Sequence, residues 1–186
     1  NMADGKNGLV IGQSLLWTVF LLFYAPEHLR PLLLVFAVCL CVALAFNLAG
    51  RLFLGDSGTY AISIFVGLLA IYCYSVGFHA LRAEVVVLWF LIPVVDCLRL
   101  IGLRVIAGRS PFSSDSNHLH HILGRWMPWR WGLVAYFGLA GVPGLLALAL
   151  PSLALVWIVL ALASYGIVVG VSGRQAAHGR VTSPRA

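Results

Sequence analysis

The sequence predicts an all-α fold, a polytopic transmembrane helix bundle of about six spans with its functional loops on one face. Three observations carry that expectation. Hydrophobic residues make up 61% of the 186 and charged residues 10%, whereas a soluble domain needs roughly a quarter of its residues charged. The apolar residues fall in long runs, more than one water-soluble core can absorb. The polar stretches between the runs alternate sharply in charge.

The runs, in order, are Leu9–Ala25, Leu32–Phe46, Thr59–Phe78, Val85–Ile101, Gly132–Leu150 and Ser152–Val171. A helix crossing hydrocarbon needs about 20 residues, with a range of about 17 to 25. The second run is short and borrows Arg30 and Pro31, or Asn47, at its ends. Pro143-Gly144 is expected to kink the fifth, and Pro151 marks the turn into the sixth. Backbone groups in lipid must be paired within the segment, so the runs are helices rather than strands. The whole of 1–186 is expected to be a single transmembrane domain.

Six spans place 1–8, 47–58, 102–131 and 172–186 on one side, and 26–31, 79–84 and the Pro151 turn on the other. The first side collects Lys6, Arg51, Arg104, Arg109, Arg125, Arg130, Arg174, Arg180 and Arg185; the second has only Arg30 and Arg82. The positive-inside rule makes the first side cytoplasmic. This bias accounts for the net charge of +6, so no nucleic-acid partner is called for. Cys39, Cys41, Cys73 and Cys97 lie inside apolar runs without metal spacing and are expected to be small buried hydrophobes.

Acids and histidines are also sorted. Asp4, Asp56 and Asp115 fall in cytoplasmic loops, and Asp96 sits near the cytoplasmic end of its span. In the first loop, Asn1-Met2-Ala3-Asp4-Gly5-Lys6-Asn7-Gly8 reads either as a pair of Asp-Gly and Asn-Gly turns or as oxygen and amide groups for a polar ligand. In the second, Asp56 or Ser57 either caps a helix starting near Thr59 or offers a carboxylate, between glycines and at a helix N-terminus, to Mg²⁺ and an anion. The third loop holds Arg104, Arg109, Asp115 and His118-Leu119-His120-His121. Zinc would need more ligands than Asp115 adds. Imidazoles bonding a diphosphate among arginines fit better, against the plain alternative of a solvated basic loop. Asp96 and Arg99 share a helix face. They form an internal ion pair, or Asp96 braces Arg104 or the histidine loop from below.

Taken together, Asn1-Met2-Ala3-Asp4-Gly5-Lys6-Asn7-Gly8-Leu9, Arg51-Leu52-Phe53-Leu54-Gly55-Asp56-Ser57-Gly58 and Ser110-Pro111-Phe112-Ser113-Ser114-Asp115-Ser116-Asn117-His118-Leu119-His120-His121 resemble the polyprenyl-phosphate N-acetylhexosamine-1-phosphate transferase superfamily. The motifs occur in that family's order, each in a cytoplasmic loop. The resemblance implies a bacterial inner-membrane enzyme that transfers a sugar-1-phosphate from a UDP-sugar to undecaprenyl phosphate, releasing UMP, with Mg²⁺ (Mn²⁺ as the alternative ion). It implies catalytic roles for Asp56, His118, His120 and His121, with Asp56 as metal ligand. Substrate contacts would come from Asn1, Asp4, Asn47, Arg51, Arg104 and Arg109.

The H-x-H-H form is more similar to the branch that starts O-antigen and related lipopolysaccharide synthesis, which favours UDP-GlcNAc over a UDP-muramoyl-peptide. A homodimer is a further expectation. Three departures stand out: Asn7 where the family often has Asp, Ser116 where an arginine commonly stands, and no earlier loop for the family's paired aspartates. The chain, which opens on Asn1, is accordingly expected to be the C-terminal portion of a longer enzyme, lacking its N-terminal half and inactive alone. The rivals are a non-catalytic remnant and a transporter segment with Asp96 and Arg99 in its path.

Overall fold

A membrane-buried backbone must bond to itself, and each long apolar run answers with a helix. The computed structural model describes residues 7–77, 81–111 and 117–181, with side chains through residue 172. The helices are α1 (Leu9–Tyr24), α2 (Arg30–Leu48), α3 (Gly55–Val76), α4 (Ala83–Ile106), α5 (Leu119–Trp126), α6 (Trp129–Ala149) and α7 (Ala154–Val181), with a 3-10 turn at Pro151–Leu153 before α7. Helices α2, α3, α4, α6 and the stretch Pro151–Ser172 are long and apolar enough to cross a membrane. The chain is a multi-pass membrane protein. Helix α1 is apolar but has 16 residues, just under the usual minimum for a span.

The helices differ from the expected spans mainly at their ends. Asn47 and Leu48 finish α2 and Gly55–Gly58 begin α3, so the expected loop 47–58 shrinks to residues 49–54. Helix α4 runs past Ile101 to Ile106, and α5 and the start of α6 occupy much of 102–131. Helical hydrogen bonding continues past the apolar run because nothing at Gly102 breaks it; Gly108, at φ 68, stands after α4 has ended. Pro143 lies inside α6 without ending it, and Pro151 opens the turn as expected. The cysteines are free, but Cys39 and Cys41 are exposed on the outer side of α2 rather than buried. A face turned to lipid is as apolar as a core, so burial and hydrophobicity part company there.

Helix α1 packs against α2, α3 and α6, while α4 packs against α6 and α7. Phe20 of α1 stacks obliquely on Trp89 of α4, ring centroids 5.4 Å apart. Glycines let α6 approach closely: a Cβ on Gly144 would lie 2.8 Å from the Phe20 ring. One contact in this core follows directly from covalent chemistry. Pro93, inside α4, has no N–H, so the carbonyl four residues earlier, at Trp89, loses its helical donor. The indole Nε1 of Trp17 donates to that oxygen at 2.7 Å, and Trp17 also packs on Phe90.

Trp17→Phe therefore leaves the Trp89 carbonyl without its donor and should cost about 1–3 kcal/mol. In a Pro93→Ala background the helix can supply its own N–H, and the same substitution should cost clearly less. Thermal unfolding of the four detergent-solubilised forms measures the coupling; equal losses in both backgrounds would refute the pairing.

Candidate functional site at the Asp96 end of the bundle

The start of α1, the end of α2 and the loop that leads to α3 are bound by one side chain. Asn47, in the last turn of α2 and buried, accepts a hydrogen bond from the backbone N–H of Gly8 through Oδ1. Its Nδ2 donates to the carbonyl of Leu52 at 2.8 Å. The short loop 49–54 and the entry to α1 are thus held by an amide that has a donor and an acceptor to give. Trp129, at the start of α6, donates from Nε1 to the Asn7 carbonyl at 2.8 Å, which brings α6 to the same corner.

Asp56 stands in the first turn of α3 and is exposed. The helix begins at Gly55, four residues before the expected Thr59, and no side-chain cap hydrogen bond closes it. Asp56 therefore lies within the first turn rather than capping it from outside. Gly55 takes φ 67, a left-handed conformation that a side chain would strain. A Cβ there would meet only Phe53, at 3.8 Å, so the approach beside Asp56 is open. An accessible carboxylate flanked by small residues suits Mg²⁺, which keeps waters and substrate oxygens around one or two carboxylates. Among the described residues no three His, Cys, Asp or Glu side chains gather as a ready-made metal site.

The third segment departs most from a loop. Leu119, Ile122 and Leu123 of α5 are buried, and the helix packs on α6 and α7. The apolar spacing three and four residues apart is that of an amphipathic helix. The segment is not a solvated basic loop. His118 and His120 are buried at 5% and 3% exposure; their rings stack 5.5 Å apart, and His120 and His121 lie 4.2 Å apart.

Asp96, 5% exposed in α4, fixes this helix from below. Its Oδ2 lies 2.9 Å from Nδ1 of His118. The backbone N–H of Leu119, at the start of α5, donates to both carboxylate oxygens at 3.1 and 3.2 Å. Arg99 Nη2 donates to Oδ1 at 2.9 Å and to the Asn117 carbonyl at 2.6 Å. Both sequence-level alternatives for Asp96 hold at once: it pairs with Arg99 and braces the histidine segment. Arg104 is not its partner.

The arginines divide into two kinds. Arg104, expected in a loop, ends α4 buried at 3% exposure and donates from Nη1 to the Pro111 carbonyl at 2.7 Å, which pins the turn that leads out of α4. Arg51 and Arg109 are exposed at the same end of the bundle. Asn1 and Asp4, with Lys6 and Asp115, lie outside the described residues. Tyr165 of α7 joins the cluster although no motif around it in the sequence marks it: beside Ser164 in an apolar run, it donates to Asp96 Oδ1 at 2.8 Å.

Residues 1–74 match Glycosyl transferase family 4. The similarity to this family is carried by that stretch. An undecaprenyl-phosphate alpha-N-acetylglucosaminyl 1-phosphate transferase from Yersinia pestis is 30% identical over 135 residues, which cover 67% of this chain and 37% of the relative. A decaprenyl-phosphate N-acetylglucosaminephosphotransferase from Mycolicibacterium smegmatis is 30% identical over 147 residues, 66% of this chain and 36% of the relative. The Escherichia coli K12 protein with the same name as the Yersinia one is 27% identical over 135 residues, with 67% and 36% coverage. The chain thus spans little more than a third of the length of these relatives. No solved structure matches it significantly.

Asn47→Leu removes both bonds of the clamp and should cost about 1–3 kcal/mol locally. Hydrogen exchange by mass spectrometry should show the Gly8 region opening much faster in the variant, while α7 is unchanged. Unaltered exchange at Gly8 would show that the clamp does not hold the entry to α1.

Proposed function

We propose that this chain carries part of the active site of a membrane transferase that moves a sugar-1-phosphate from a UDP-sugar, UDP-GlcNAc first among them, to undecaprenyl phosphate. The observation that carries the reading is that an accessible Asp56 and a histidine segment anchored in the helices lie at the same end of the bundle. The relatives' names support the reaction class, and the excess of arginine and lysine on that end supports a cytoplasmic face.

In the proposed reaction an oxygen of the lipid phosphate attacks the sugar-bearing phosphorus of the donor. The bond from that phosphorus to the bridging oxygen breaks and UMP departs, leaving a lipid-linked sugar diphosphate. Such transfers depend on positioning and on neutralising charge spread over phosphoryl oxygens. Asp56 is the carboxylate offered to Mg²⁺, which when bound neutralises the diphosphate and stabilises the departing phosphate of UMP. Exposed Arg51 and Arg109 supply guanidinium donors for phosphate oxygens. His118, His120 and His121 form a ring cluster for the donor diphosphate. Asn47 and Arg104 act at one remove: Asn47 holds loop 49–54 leading into Asp56, and Arg104 holds the turn at Pro111. The helices keep the acceptor's tail in the bilayer while the water-soluble donor reaches the interface. The pathway is the start of a cell-envelope polysaccharide, of the O-antigen or a related type.

The test is Mg²⁺-dependent release of UMP from UDP-GlcNAc and undecaprenyl phosphate in membranes, with the chain alone and joined to any coding sequence directly upstream. Release that falls roughly 10²–10³-fold in Asp56→Asn supports the reading, the usual scale for losing one electrostatic stabiliser. No release from any form, with UDP-GlcNAc or another UDP-N-acetylhexosamine, favours a non-catalytic relative.

A further inference from the structure

Tyr165 stands in α7, beyond the last of the ordered motifs and beyond the stretch matched to the family. It is 5% exposed, and its hydroxyl makes two charged contacts. Arg99 Nε donates to it at 2.7 Å, and it donates to Asp96 Oδ1 at 2.8 Å. The direction of these bonds is not free. A guanidinium has donors only and a carboxylate has acceptors only, so the single hydroxyl proton must go to Asp96.

The same logic runs one step further. Oδ1 of Asp96 is held by Arg99 and Tyr165, the Leu119 N–H is shared between the two oxygens, and Oδ2 faces His118 Nδ1 at 2.9 Å. An acceptor at that distance requires the proton on Nδ1, which leaves Nε2 as the nitrogen that takes up a second proton and, once protonated, donates to a phosphoryl oxygen. Carboxylate torsions are broad and soft. Without the hydroxyl of Tyr165, Asp96 Oδ1 keeps the Arg99 guanidinium and the longer, shared bond from the Leu119 N–H but loses its one donor from α7, and Arg99 loses the acceptor of its Nε.

We propose that Tyr165 is a positioning residue for the histidine segment: from α7 it orients the Asp96 carboxylate and thereby fixes which ring nitrogen of His118 is offered to an anionic phosphate ligand. The identity of that ligand rests on the transferase reading; the positioning of the imidazole does not.

Nitrogen NMR of the histidine-labelled chain in detergent micelles reads the tautomer directly, with His118 assigned by the signals lost in His118→Gln. The intact chain should show His118 protonated on Nδ1. Tyr165→Phe keeps the ring and its packing, and it should raise the fraction protonated on Nε2 by roughly twofold or more. Ser164→Ala, one residue away, should leave it unchanged. If Tyr165→Phe fails to fold, Arg99→Lys removes the Nε donor to the hydroxyl while keeping a cation, and it should move the same signal in the same direction. An unchanged His118 tautomer in the folded variant overturns the proposal. A shifted tautomer with no UMP release from the chain either alone or joined to its upstream coding sequence would overturn the transferase reading and leave the positioning role standing; UMP release from the joined form with an unmoved tautomer would do the reverse.

Discussion

The carboxylate of Asp96 is the constraint on which this end of the molecule depends. A charge at membrane depth is costly unless it is paired and its lone pairs are used. Asp96 meets that requirement with donors from three helices: Arg99 on its own helix, His118 and Leu119 N–H at the start of α5, and Tyr165 on α7. The consequence reaches beyond one ion pair. Because the donors come from separate elements, satisfying the acid draws α5 back against the bundle and buries His118 and His120 with it. The histidines are thus held by a buried polar network, which rigidifies when every member is satisfied.

A second constraint is the need to pair every backbone group. Pro93 removes one donor from α4, and Trp17 replaces it from α1. Where helices end, side chains take over: Asn47 binds Gly8 and Leu52, and Arg104 binds Pro111. These contacts separate the buried polar residues of this end from the exposed ones. Arg104 is drawn into the fold, whereas Arg51, Arg109 and Asp56 stay exposed. Residues of the same chemical type in neighbouring segments therefore carry different work.

Much of this arrangement was legible in the residues. The apolar runs located six of the helices, since hydrocarbon thickness sets their length and backbone pairing sets their type. Asp96 and Arg99 announced a pair by their spacing. The shorter helix α5 was also written in the sequence, in the spacing of Leu119, Ile122 and Leu123, but its histidines drew attention to ligands instead of to periodicity. The extension of α4 to Ile106 and the exposed cysteines of α2 were harder to see. Hydropathy reports where lipid is tolerated, and it says neither how far a helix continues into water nor which side of it meets another helix.

The order of residues is enough to fix the class of the protein: apolar runs of spanning length, basic residues gathered on one side, and motifs placed in the stretches between. These are local properties, set by the transfer of side chains from water and by helical geometry. Which side chains act together follows from the packing of the helices. Tyr165 lies 69 residues from Asp96 along the chain, and Trp17 lies 72 from Trp89. No local pattern relates such positions, because their meeting is fixed by how helices pack and by which buried donors and acceptors that packing must satisfy.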